Sequence, residues 1–203
     1  MGDPKFSRRT YRRPAHPWEG ERIKAENELI TKYGLKNKRE LWKALAILRR
    51  FRQRARILQA QIRYGETQAE KERGELLRRL GRIGLLPIEG ATLDDVLALD
   101  VEAVLSRRLQ TLAFVKGLAY TTRQARQFIV HGHMSLGDRR VTIPGYLVSR
   151  EEEGSIVYDP RSTIAHELHP ARPGAQPPAA PAGEPAGGPE APEPGDAGEG
   201  GGA

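Results

Sequence analysis

Apolar positions recur at helical spacing through the first two thirds of the chain and change to alternation near Met134. The longest periodic run is "NKRELWKALAILRRFRQRARILQAQIRYG", from Asn37 to Gly65. At roughly 100° per residue, Leu41, Leu45, Leu48, Phe51, Ala55, Leu58 and Ile62 fall within an arc of about 140°, a stripe that must pack inward. Asn37 with Glu40 three residues later is the capping-box pattern and sets the start of this helix. Before it, "GERIKAENELITKYG" predicts a helix through Ile23, Leu29 and Ile30 with Gly34 as its C-terminal cap. After it, residues 67–83 predict a third helix closed by the breaker "GRIGLLP", and "TLDDVLAL" a short capped one.

Farther on, "VEAVLSRRLQTLAFVKG" follows Asp100 and reads as a single helix ending at Gly117. "TRQARQFIVHG" follows Thr121, has Gln124 three residues on, and ends at Gly132. Alternation then begins: Met134 and Leu136, a Gly137-Asp138 turn, then Val141 and Ile143, which together predict a hairpin. The fold class expected is α+β, mainly α. A helical N-terminal region packs with a unit of two helices plus a β-hairpin or small antiparallel sheet.

Both ends differ in composition from this body. From Gly174 on, the chain is nearly all Pro, Gly, Ala and acid, with five carboxylates and no Lys or Arg. Such a stretch buries too little apolar surface to offset its ordering entropy, so a disordered acidic tail is expected over 173–203. The first twenty residues are rich in Arg and Pro with almost no aliphatics, and predict an extended basic arm ordered only against a partner.

Charge then narrows the function. Residues 1–173 carry a net +12 against +7 for the whole chain, an excess that concentrates polyanions at a small folded surface. Nucleic acid is the first partner this implies. No stretch has the apolar length to span a bilayer and no signal-peptide core follows the basic N-terminus, so no membrane partner and a cytoplasmic location are expected. With no cysteine, a disulfide framework and a thiolate zinc knuckle are excluded.

The basic residues are also patterned. On the long helix, Arg49, Arg52, Arg56 and Arg63 border the apolar stripe while Lys43, Arg50 and Arg54 face away, with few acids at pairing distance. On the helix near residue 125, Ala125, Phe128 and Ile129 share the core side. Arg123, Gln127 and His131, four apart, form a stripe opposite, with Gln124 and Arg126 at its borders. That polar side holds no carboxylate, whereas a solvated face ordinarily mixes signs, so it is matched to an anion. Arg107, Arg108 and Lys116 join the patch if the two helices lie side by side, and Arg139 and Arg140 extend it past the turn.

His131 and His133 bracket a helix-ending glycine with no third ligand nearby, which leaves a metal site without its ligand set. No nucleophile elbow, paired carboxylates or phosphate loop accompanies them, so neither an enzyme nor a cofactor is indicated. Two readings stay open for these histidines: satisfaction by backbone groups at a helix end, or hydrogen bonding to phosphate or ribose. Aromatics are only 6% of the chain, which argues against recognition by many stacked bases and for reading the shape of folded RNA through phosphate and 2′-hydroxyl contacts.

At these residues a family resemblance enters. "RRLQT", "ARQFIVHGH" and "RVTIPGY", within Arg107 to Val148, resemble the S-four RNA-binding domain, and specifically the archaeal small-subunit ribosomal protein four family. "YGLKNKRELW", "RARILQ" and "VYDPRSTIAHELHPAR" extend the likeness over residues 3–172 in the family's order. The divisions expected are a basic arm 1–20, a helical domain 21–100, the S-four domain 101–150, an extension 151–172 packing on the body, and the tail. The resemblance implies a structural component of the small subunit that binds small-subunit ribosomal RNA at a multi-helix junction in the body and promotes early assembly. It also implies neighbouring ribosomal proteins, ribosomal protein five among them, and messenger RNA near the channel by which it enters, with a contribution to translational accuracy.

Carried over by position, Arg107, Arg108, Arg123, Gln124, Arg126, Gln127, His131 and His133 match RNA-facing positions, while Leu109, Phe128, Ile129, Val141 and Ile143 match the core. Affinity is expected from several surfaces together: Arg8, Arg9, Arg12 and Arg13 of the arm, Arg49, Arg52 and Arg56 of the long helix, and the helix pair. Two departures stand out. Gly137-Asp138 replaces the family's frequent Asn-Gly turn, and the cysteine zinc site of many bacterial relatives is missing, so packing or RNA must order the arm. An assembly factor acting on precursor RNA, or an RNA-modifying enzyme with this domain as its targeting module, are the alternatives. Little chain remains for a catalytic domain.

Overall fold

The structure, a computed structural model, describes residues 9–166 and 169–173. The acidic tail and Arg8 of the arm lie outside the described residues. The fold is mainly helical with one small three-stranded antiparallel sheet. No described helix is long and apolar enough to cross a membrane.

Local chemistry sets most helix ends. α1 (Gly20–Tyr33) stops at Gly34, whose φ of 58° suits a residue without Cβ. α2 (Lys38–Arg63) starts where the Asn37 side chain accepts the Glu40 backbone N–H at 3.2 Å. α3 (Thr67–Ile83) ends at Gly84, and α4 (Leu93–Ala98) has a full capping box between Thr92 and Asp95. At α2 only half of the expected box forms, because the Glu40 carboxylate turns away to meet Arg108 and Arg126.

The helix expected over 101–117 is two helices, α5 (Val101–Ser106) and α6 (Leu109–Val115). Between them Arg108 is extended (φ −74°, ψ 143°) and bridges Leu147. Here a distant segment takes the backbone groups: Val148 N–H donates to the Arg107 carbonyl at 3.0 Å and Leu109 N–H to the Tyr146 carbonyl at 2.8 Å. These bonds keep the buried backbone paired although the helix is interrupted.

α7 (Thr122–Val130) leads into β1 (Met134–Leu136), which turns through Gly137-Asp138 into β2 (Arg139–Arg140) with Leu136 opposite Arg139. After α8 (Arg150–Glu153), β3 (Ile156–Tyr158) pairs with the other edge of β1, giving the order β2-β1-β3. Ile143, expected in the core beyond the hairpin, is 64% exposed because the ladder ends at Arg140.

Two apolar clusters result. The first joins α1 to α5 around Tyr33, Leu41, Leu48, Leu58, Leu80 and Leu105. The second joins α6, α7 and the sheet around Leu109, Ala125, Ile129, Met134, Val148 and Ile156. The arm, expected to be ordered only by a partner, touches the helical body at Tyr11. Tyr11 lies tilted against Trp42 of α2 with ring centroids 6.0 Å apart, and Arg9 stands 5.6 Å over the Tyr11 ring.

Candidate nucleic-acid interface

α7 is built by its ends. Thr121 Oγ1 accepts the Gln124 N–H at 3.1 Å and opens the helix. Gln124 Oε1 accepts from the Tyr120 N–H at 2.7 Å, and its Nε2 donates to the Ala171 carbonyl at 3.0 Å. Gln124 thus ties the helix start to the C-terminal extension, which occupies a side chain that the pattern offered to RNA. Ala125, Phe128 and Ile129 are buried beneath.

Arg108 and Arg126 share one carboxylate within the protein, that of Glu40. Arg126 Nη2 lies 2.5 Å from Glu40 Oε1, and its Nη1 donates to Gln110 Oε1 at 3.2 Å. Arg108, only 6% exposed, donates to Glu40 Oε2 at 2.8 Å. The acid missing from the α7 sequence is supplied by α2, which engages both guanidinium groups from inside the fold. Burial pushes the Glu40 carboxyl up, but hydrogen bonds from Arg126 and Arg108 and their charges outweigh it and hold it below the ordinary 4.5.

Gln110, which no charge pattern marks, completes this junction. It is 1% exposed, and its Nε2 donates to the carbonyls of Gly34 and Thr122, each at 2.9 Å. The legible signal was an amide set among Leu109, Thr111 and Leu112 on a helix face that packs inward. Arg107 is likewise committed, with Nη1 2.8 Å from Glu153 Oε2 and Nη2 donating to the Val148 carbonyl at 3.2 Å. Lys116 reaches the Glu153 carbonyl, and Arg52 the Leu99 carbonyl.

What remains exposed is a connected stripe. Arg123, Gln127 and His131 follow one another along α7, and Arg123 and Gln127 have no side-chain partner among the described residues. Arg140 continues the stripe by donating to the His131 carbonyl at 2.9 Å. Arg139 stands beyond, 5.8 Å over the Tyr146 ring and 3.6 Å from Glu152 Oε1, still largely exposed.

His131 and His133 are stacked with centroids 6.0 Å apart and planes 7° from parallel. His133 Nδ1 lies 2.8 Å from Ser162 Oγ, so a side chain rather than a backbone group satisfies it. Burial, then the positive surroundings of His131, Arg140 and His169, lower its pKa from 6.5 against the pull of Asp159. Among the described residues no cluster of His and carboxylates could hold a metal ion. Arg49 and Arg56 of α2 are exposed, as are Arg9, Arg12 and Arg13 of the arm.

A family model described as the S4 domain matches residues 107–153, from the break between α5 and α6 to the end of α8. Small ribosomal subunit protein uS4 of Thermoplasma acidophilum is 52% identical over 172 residues, covering 85% of this chain and 86% of that protein. The proteins of the same name from Picrophilus torridus and Methanococcus aeolicus are each 54% identical over 85% of this chain, covering 93% and 96% of their own lengths.

Proposed function

Because the chain belongs to the uS4 family of small-subunit ribosomal proteins, we propose that it binds small-subunit ribosomal RNA directly through the exposed stripe Arg123, Gln127, His131 and Arg140. Its relatives are ribosomal proteins, structural rather than enzymatic, and its role is that of a structural component of the small ribosomal subunit with an S4 RNA-binding domain. A cytoplasmic location follows from that role.

The single observation carrying the RNA reading is that the stripe keeps cations and amide donors at the surface while the Glu40 carboxylate faces inward onto Arg108 and Arg126. Arginines neutralise phosphates and release counterions, and Gln127 and His131 supply hydrogen bonds to phosphate or the 2′-hydroxyl. Arg49 and Arg56, with Arg12 and Arg13, add further phosphate contacts, so the arm, the helical region and the S4 domain act on one folded RNA together. Arg108, Arg126 and Gln124 position that surface and make no RNA contact in this reading; Arg107 does the same through Glu153. A multi-helix junction in the body of the subunit, bound early in assembly, is the target. Neighbouring ribosomal proteins, ribosomal protein five among them, and messenger RNA near the channel by which it enters complete the surroundings, with an influence on translational accuracy.

Ultraviolet crosslinking in cells, with sequencing of the bound RNA and sedimentation of the subunits, tests this. Crosslinks at one junction of small-subunit RNA with retention in mature subunits are expected. Enrichment on precursor or transfer RNA with absence from mature subunits would instead mean an assembly factor or a modifying enzyme.

A further inference from the structure

Both tryptophans of the chain line one recess of about 360 Å³ between the arm and the first two helices, together with Arg13, Pro14, Arg22 and Lys38. Trp18 is 91% exposed there. One exposed aromatic is ordinary, but this one is held by a fixed scaffold. Arg22 Nη2 donates to the carbonyls of His16 at 2.9 Å and Pro17 at 3.0 Å, immediately before Trp18. The other end of Arg22 donates to Glu26 Oε1 at 2.8 Å, and Trp42 Nε1 donates to the same oxygen at 3.1 Å. Lys38 lies 3.2 Å from Glu26 Oε2. Glu26 is buried, so one carboxylate fixes the loop carrying Trp18, the second indole and a lysine relative to one another.

We infer that this recess captures one unstacked nucleotide of a folded RNA, its base against Trp18 and its phosphate on Arg13. The inference deepens, and rests on, the RNA-binding reading above. Charge selects the occupant. Arg13 has no carboxylate partner among the described residues, Arg12 stands beside it, and Lys38 retains a partly exposed ammonium, whereas the acids of the site, Glu19 and Glu26, are held by Arg22. An apolar protein segment would use the indole and leave the cations unmatched; a nucleotide uses both, by stacking and by phosphate contact. Bulged and looped bases of folded RNA present this combination of open π face and adjacent phosphate. A sequence poor in aromatics still affords one such contact, because both tryptophans sit in the same place.

The test is titration of the full chain, as wild type, Trp18→Phe and Trp18→Ala, with small-subunit ribosomal RNA, reading filter-binding affinity and tryptophan emission together. Emission should be quenched in the wild type. Trp18→Ala should weaken binding about tenfold and Trp18→Phe about twofold, since a phenyl ring still stacks. In Trp18→Phe, where Trp42 alone emits, most of the quench should vanish. Binding with unchanged emission and an unaffected Trp18→Ala variant overturns the inference and leaves the RNA reading intact. Absence of wild-type binding removes both. Shielding of Trp18 from acrylamide in assembled subunits, but not in the binary RNA complex, assigns the recess to a protein and also overturns it.

Discussion

Arg126 on α7 and Glu40 on α2 stand 86 positions apart in sequence and hold each other at 2.5 Å, with Arg108 on the second carboxylate oxygen at 2.8 Å. This carboxylate fastens the RNA-binding unit to the long arginine helix. Removing it leaves two guanidinium groups without their anion in a mostly buried site. Glu40→Ala should therefore cost about 2–4 kcal/mol, seen as a lower midpoint in urea at unchanged slope.

The same ion pair predicts a pH response. Glu40 is held below its ordinary 4.5 in the folded chain, so folding favours its ionised form. Its contribution is complete above about pH 4.5 and is lost as the pH falls through the lower folded-state value. Acid titration of stability should be less steep in Glu40→Gln than in the wild type over that window. Equal slopes would mean that other carboxylates carry the acid response.

His133 acts at a higher pH. Its folded-state pKa lies below 6.5, so the unfolded chain takes up the proton first as the solution is acidified. Stability should be constant above about pH 6.5 and decline below it until the folded-state value is passed. His133→Gln should flatten that decline, checked by urea melts at several pH values.

Gly132 has φ of 74°, and a Cβ there would meet the Arg140 guanidinium. Gly132→Ala should destabilise the fold by more than about 1 kcal/mol and displace Arg140 from the His131 carbonyl. Thermal melting checks the first effect, and weaker RNA binding per folded molecule the second.

What the sequence made legible is what local chemistry controls. Asn37 and Thr121 open their helices where their spacing to Glu40 and Gln124 predicted, the short capped helix of "TLDDVLAL" forms, and Gly137-Asp138 turns the hairpin. Apart from Ile143, left exposed where the hairpin ladder stops, the misreadings involve distant partners. Glu40 sits at capping-box spacing from Asn37, yet its partners lie 68 and 86 positions away, beyond the reach of any periodicity. The break at Arg107 and Arg108 depends on backbone bonds to residues 146 and 148, and β3 is defined by its pairing with β1, far back in the chain and across α8. The acid-free side of α7 was real as a sequence pattern, but pattern alone cannot separate Arg126, which turns inward, from Arg123, which does not.

That separation gives the most direct test of the central claim. Binding of the full chain to small-subunit ribosomal RNA would be measured over a range of salt concentrations for the wild type, the pair Arg123→Ala with Gln127→Ala, and Arg126→Ala. The stripe variant should bind more weakly, with a salt slope shallower by about one phosphate contact, and melt like the wild type. Arg126→Ala should melt earlier and bind normally per folded molecule. If the stripe variant binds as the wild type does, with the same salt slope, this face of α7 is not the RNA surface.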